Sequence, residues 1–393
     1  MKRLLILVLF SLVSKIEVDG NVQLIGRQYQ KTASDVVEYM NRMRSRSHSN
    51  FIVGFPDNPI LTTIQVGTPP KNFTVSIETG TDDLWLLDPK YPGIGVNQSA
   101  YDVNASTSGK QEDGKFEEIS EDRGLYGNLF TDSINVFLGP FAQTFGTVQG
   151  SNATDWDNPE FEFEGVLGLE WKPNSIKNVN SSSSPILNIL AQLPSSTPKF
   201  YVTWLQSKTI QDVGRYHDFI VTFGSIPTDK CDASNFNFAP LTFNPQSEIL
   251  SFVVDEFYVG SYTNLTAMPA KVDTGLPLIL APYDQWLGIY YEIDPDYSWE
   301  LNLYVVTCHA VHMFPDWIFK INGITYTIPP TSYIVDLLLG DGSCAVMFNL
   351  ADGYIVSGWG LGTPFLWNYC EYFDVDNQQI GFARALTDTS TGK

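Results

Sequence analysis

Ser76-Ile77-Glu78-Thr79-Gly80 and Lys271-Val272-Asp273-Thr274-Gly275 repeat one pattern: an apolar strand ends on an acid, Thr-Gly follows, and a second apolar run begins. Each stretch has a companion further along, Val166-Leu167-Gly168-Leu169 for the first and Gly360-Leu361-Gly362 for the second. Glu78 stands 90 residues before Gly168, and Asp273 stands 89 before Gly362. Two such pairs, in the same order and at nearly the same spacing, mark a duplicated unit. The chain reads as two copies of one lobe, each with an acid-bearing turn held by a later apolar-Gly strand.

Outward from these motifs, the chain from residue 51 onward is predicted to be mainly β. Short runs rich in Val, Ile, Phe and Tyr, at 61–66, 73–77, 134–138, 219–223, 252–258 and 326–328, alternate with Gly, Pro, Asn and Asp. Helices are few and short. The clearest opens at Ser184 and Pro185, a cap and a first-turn proline, and sets Ile186, Ile189, Leu190 and Leu193 on one stripe. Residues 178–184 read as polar loop.

Composition excludes several classes. The 393 residues carry 23 Lys plus Arg against 44 Asp plus Glu, a net of −21. Nucleic acid needs clustered cations, and the basic cluster here is only Arg42, Arg44 and Arg46. With 43% hydrophobic and 13% aromatic residues, the chain can bury a large core and is not disordered. Four Cys can decorate such a fold but not create it. No phosphate loop, dinucleotide fingerprint or nucleophile elbow is present, and Gly358, Gly360 and Gly362 read as strand glycines.

The N-terminus suggests a secretory route. Lys2 and Arg3 precede an apolar run over 4–13, broken only by Ser11, in the order of a signal peptide. A cut after Gly20, with Val18 at −3, fits better than one after Ser14, which would leave Leu12 there. The run is shorter than the roughly 18 to 20 residues that span a bilayer, so no membrane span is predicted. Six Asn-x-Ser/Thr sequons, at Asn72, Asn97, Asn104, Asn152, Asn180 and Asn264, fit a lumenal passage. The first 14 residues and residues 15–50 each carry a net of +2; subtracting both from −21 leaves −25 on residues 51–393. A basic segment before an acidic body pairs with it at neutral pH and lets go when carboxylates protonate. Within it, Ser34 is placed to cap a short helix with Val36, Met40 and Met43 on one face and the three arginines near its C-terminal end. The plainer reading is a solvated tail. The expected division is a signal at 1–20, a pro-segment at 21–50, an N-terminal lobe at 51–225, a C-terminal lobe at 226–387 and a tail at 388–393.

In chain order the motifs resemble the pepsin-like aspartic proteases, and the resemblance covers nearly the whole chain. Ile64-Gln65-Val66-Gly67-Thr68-Pro69-Pro70-Lys71-Asn72-Phe73 is similar to the family's first hairpin, and Asp83-Leu84-Trp85 follows the first acid in the usual place. Tyr304-Val305-Val306-Thr307-Cys308, Tyr326-Thr327-Ile328-Pro329-Pro330, Gly342-Ser343-Cys344, Phe373-Asp374-Val375 and Ile380-Gly381-Phe382-Ala383 are similar to its second lobe. The resemblance implies an all-β, bilobal acid-protease fold: two pseudo-symmetric, β-barrel-like lobes flanking a cleft for an extended peptide or protein. It implies Glu78 and Asp273 as the catalytic pair. Two nearby carboxyls share one proton, so one activates a water while the other donates to the scissile carbonyl. Gly80 and Gly275 would permit the tight turns, and Thr79 and Thr274 would lock them together. Thr81 would steady the outer oxygen of Glu78. Trp85 would pack beneath the flap, although a plain core tryptophan fits the sequence nearly as well.

This chain departs from the family at its centre. Glu78 replaces the first Asp, and its added methylene advances the carboxylate by roughly 1 to 1.5 Å, where a misplacement of about 1 Å can cost on the order of a hundredfold in rate. Leu276 and Pro277 replace the usual Thr and Ser, removing a hydrogen-bond partner worth about 1 kcal/mol or more to a carboxylate. Counted back from Asp132, the flap tyrosine's position falls near Ser120, and 117–123 lacks the glycine-rich tip. Thr363 stands where the family has an Asp after Leu-Gly. Three expectations follow: an endopeptidase of reduced activity, a pseudoprotease that binds peptides without cutting, or a secreted structural glycoprotein. Glu117, Glu118, Glu121 and Asp122 favour a basic peptide. Cys308 and Cys344 occupy the positions of a family disulfide, which leaves Cys231 and Cys370 to pair. Cys308, His309 and His312 are then not a zinc set, and neither metal nor cofactor is expected. A monomer, secreted or in an acidic lumen, is the expected state.

Overall fold

The computed structural model describes residues 22–29, 59–95, 97–120, 123–151, 163–171, 184–207, 216–244, 249–299, 303–336, 340–351 and 358–386. The expected signal, the helix expected from Ser34, the loop at 178–183, flap residues Glu121 and Asp122, Asn152, Asn180 and the tail lie outside them.

In the first half, β1 (Val22–Tyr29), β2 (Ile60–Val66), β3 (Lys71–Glu78), β4 (Leu84–Leu87), β5 (Lys110–Ser120), β6 (Arg123–Asn135), β7 (Pro140–Ser151) and β8 (Gly165–Gly168) precede the helix Pro185–Ala191. β9 (Phe200–Leu205), β10 (Tyr216–Phe223) and β11 (Asn237–Pro240) follow it. In the second half, β12 (Thr242–Asn244) to β15 (Tyr262–Asn264) include β13 (Ile249–Val254) and β14 (Glu256–Val259); β16 (Met268–Val272) and β17 (Ile279–Ala281) lead to the helix Tyr283–Ile293. Beyond it, the strands used below are β20 (Trp317–Ile321), β24 (Phe348–Leu350), β25 (Trp359–Leu361), β26 (Tyr369–Asp374) and β27 (Gln379–Arg384), numbered in chain order.

Alternation builds these strands. In β3, Phe73, Val75 and Ile77 point inward and are almost wholly buried, as period-2 patterning requires. A 13-stranded sheet runs β11-β27-β26-β9-β10-β1-β2-β3-β8-β4-β7-β6-β5, so the last strands of the chain add to the first half and tie the halves together. A six-stranded sheet containing β16, β25, β17 and β24 is the second half's counterpart. One hydrophobic core runs through both, from Phe73, Ile77 and Leu167 to Val272, Trp359 and Leu361. This mainly β architecture with few short helices agrees with the bilobal fold expected.

Three local readings differ from expectation. The run at 252–258 breaks at Asp255, whose backbone N–H donates to Lys320 (2.7 Å), so β13 pairs with β16 while β14 turns to β20. The run at 134–138 stops at Asn135, whose side chain accepts from the N–H of Gly139 (3.2 Å), a residue at φ +126°. The helix begins at Pro185 as expected, but the Ser184 hydroxyl caps no backbone N–H. Proline at the first helical position already lacks one of the donors a cap would satisfy. No helix among the described residues is long and apolar enough to cross a membrane.

Candidate active site

Both acid-bearing turns are set by parallel strand pairs. β3 runs parallel to β8 with Glu78 opposite Gly168, and β16 runs parallel to β25 with Val272 opposite Leu361. β4 and β17 then return antiparallel beside β8 and β25. The spacings of 90 and 89 residues are thus the lengths of chain between strands that must pair side by side. The glycines at the ends of those strands are steric, Gly168 as the last residue of β8 and Gly362, read from the sequence as a strand glycine, as the residue just after β25. A Cβ on Gly168 would lie 2.5 Å from the carbonyl oxygens of Thr81 and Asp83, and one on Gly362 would lie 2.3 Å from those of Leu276 and Leu278.

The turns meet across the halves through their threonines. Thr79 N–H donates to Thr274 Oγ1 (3.0 Å), and Thr274 N–H donates to Thr79 Oγ1 (3.1 Å). The hydroxyls pass the bonding on, Thr274 to the carbonyl of Ile77 (2.9 Å) and Thr79 to that of Val272 (3.4 Å). Both threonines are 3% exposed, so each bond is shielded from water and each lost partner would strand a buried polar group.

The acids converge beside the glycines. A Cβ on Gly275 would sit 3.0 Å from Asp273 Oδ1 and 3.2 Å from Glu78 Cδ, so both carboxyl groups lie beside that glycine. On Gly80 it would sit 2.1 Å from Asp273 Oδ2; only glycine lets that turn approach the acid of the other half. Gly275 N–H donates to Asp273 Oδ1 (2.7 Å). The Thr81 hydroxyl accepts from the N–H of Asp83 (3.3 Å), which leaves its own proton available to donate. Trp85 is 3% exposed and packs in one cluster with Phe116 of β5, Leu129 and Val148, at the base of the β5–β6 hairpin. Ser120 ends β5 opposite Arg123, at the tip of that hairpin.

Both disulfides are formed, Cys231–Cys370 and Cys308–Cys344. Among the described residues, the one grouping with metal-ligand spacing is Cys308, Asp336 and Cys344, and its two sulfurs are bonded to each other. Of the described sequon residues, Asn72, Asn97 and Asn104 are exposed and Asn264 is half-buried.

Sequence reasoning missed a charge pair beneath the turns. Lys271, two residues before Asp273, places Nζ 2.9 Å from Glu170 Oε2 and donates to the carbonyl of Gly80. The available signal was a cation and an anion, each breaking an otherwise apolar strand end at corresponding motifs.

Residues 60–385 match the family model for eukaryotic aspartyl protease. The chain is 31% identical over 350 residues to aspartic protease 1 of Caenorhabditis elegans, covering 85% of this chain and 84% of that protein. It is 30% identical to aspartic protease 17 of the same organism (87% of each chain) and 28% identical to pepsin A of Bos taurus (83% of this chain, 84% of that one).

Proposed function

Since the chain belongs to the eukaryotic aspartyl protease family, we propose that it holds an extended peptide over Glu78 and Asp273 and hydrolyses it slowly or not at all. The observation that carries this reading is the convergence of Glu78 Cδ and Asp273 Oδ1 at Gly275, with both turns tied by reciprocal threonine bonds. In the reaction such a pair supports, the ionised acid takes a proton from water as its oxygen attacks the scissile carbonyl carbon. The protonated acid gives its proton to the carbonyl oxygen, and the C–N bond breaks as nitrogen is protonated. Glu78 brings the same group on a longer, looser arm. Placement is therefore the weak step.

Binding without cleavage is the second reading, favoured by Glu78 in place of the family's first Asp and by the apolar Leu276. The purified chain freed of residues 1–50 is the material for the test. Cleavage of denatured globin between about pH 3 and 5 that disappears in Asp273→Asn supports residual catalysis. Saturable binding of a transition-state peptide inhibitor without cleavage supports the binder. Absence of both, in material whose cooperative melt shows that it is folded without β1, refutes a working cleft. We further propose a secreted, glycosylated monomer; two disulfides suit an oxidising compartment.

A further inference from the structure

We propose that Lys271 and Glu170 form a clamp across the two halves that positions the Glu78-bearing turn. The ammonium of Lys271, on β16 of the second half, donates to the Gly80 carbonyl and to Glu170 Oε2. Glu170, just beyond β8 of the first half, holds the same turn again, its N–H donating to the carbonyl of Thr81 (2.9 Å), while its Oε1 accepts from the N–H of Leu250 (3.3 Å). The turn is gripped at two successive residues, at Gly80 by the ammonium of the charged pair and at Thr81 by the backbone of Glu170.

Burial and asymmetry argue for positioning. The two side chains are only 11% and 5% exposed, and taking two charges out of water is costly enough that apolar side chains would fill the space more cheaply. The motif of the second half lacks this device. Two residues before Glu78 stands Ser76, and two after Gly362 stands Pro364, the counterparts of Lys271 and Glu170. The clamp therefore acts on the turn with the longer acid. That turn has no slack, because Gly80 lies directly against the Asp273 carboxyl, and a shift of its backbone would move the surface on which Asp273 rests. A cavity of about 20 Å³ lined by Thr79, Trp171, Lys271 and Glu170 adjoins the pair. The positioning role rests on the peptide-cleft reading above, while the clamp itself is testable without it.

Hydrogen exchange read by mass spectrometry on the full chain tests the clamp directly. Lys271→Met combined with Glu170→Leu replaces the pair by apolar groups and is expected to stay folded. The expected result is exchange about tenfold faster over residues 78–83 at a nearly unchanged melting temperature, with Lys271→Arg keeping most of the protection. Unaltered exchange in the double variant overturns the clamp. A transition-state peptide inhibitor supplies the second readout. Its affinity is expected to fall about tenfold in the double variant, and by a different factor when Glu78→Asp is added, because the clamp acts through the placement of residue 78. An equal loss with Glu or Asp at 78 overturns the positioning role. If the parent chain binds no inhibitor while the exchange result holds, the peptide-cleft reading fails and the clamp stands.

Discussion

Glu371 lies on β26 opposite Thr203 of β9, where the last strands of the chain join the first half, and it is 2% exposed. Burial holds its carboxyl well above the ordinary value of 4.5, and the hydrogen bond from the Thr203 hydroxyl offsets this only partly. Its Oε1 has no hydrogen-bond partner among the described residues. A carboxyl raised in the folded state contributes fully below its unfolded value, and that contribution is lost as pH climbs from about 4.5 toward the folded value. Glu371→Gln is therefore expected to melt near the parent temperature at about pH 4 and progressively above it toward about pH 7. Thermal melts across that range check the sign; a gap that narrows with pH would contradict it. Thr274→Val strands Thr79 N–H and the Ile77 carbonyl, so chemical denaturation should show a loss of about 2 to 4 kcal/mol. Glu78→Asp alone is expected to raise globin cleavage by less than about tenfold, since Leu276 and the flap tip are unchanged; full recovery would refute that. At this scale Glu78, Asp273 and the threonines were legible because they sit in repeated motifs. Glu371 was not, since a lone acid in a Tyr-Cys-Glu-Tyr-Phe strand reads as solvent-facing until its neighbours are known.

Among elements, the parallel pairs β3–β8 and β16–β25 were legible as equal spacings, because two strands that must lie side by side in each copy fix the length of chain between them. The break at Asp255 was not, since the continuous apolar run hides a change of sheet. The disulfides act at this level. Cys231–Cys370 closes 139 residues and Cys308–Cys344 closes 36, so in the chain-entropy account their removal costs about 5 and about 4 kcal/mol respectively. Paired Cys→Ala variants in urea unfolding should rank in that order, and the reverse ranking would show that native contacts outweigh loop closure. In the β5–β6 hairpin, Phe116 is buried against Trp85's cluster while its neighbour Glu117 is exposed, as strand alternation dictates. With Glu117 on its outer face, the hairpin is expected to favour Lys-rich over Glu-rich peptides at about pH 6, a preference that salt weakens. Equal affinities by calorimetry would remove that idea.

For the whole molecule, β1 falls inside the segment expected to be a detachable pro-segment, yet it pairs along its full length with β10 and joins β2, inside the 13-stranded sheet. A chain lacking residues 1–50 would expose the edges of β10 and β2, so it should melt several degrees lower and expose β10 amides to exchange. An unchanged melt would show that β1 adds little. The charge asymmetry found in the sequence, −25 on residues 51–393 behind a basic stretch, suits such a docked segment. Sequence alone determined the β class, the duplication, the two acids and the threonine-glycine turns, because periodicity and repeat spacing are local quantities that survive without coordinates. Only the tertiary structure decided which distant charges meet. Lys271 and Glu170 are 101 residues apart and Thr203 and Glu371 are 168 apart, and each pair exists because folding removes water from both partners at once, so that their hydrogen bonds must be made inside the protein.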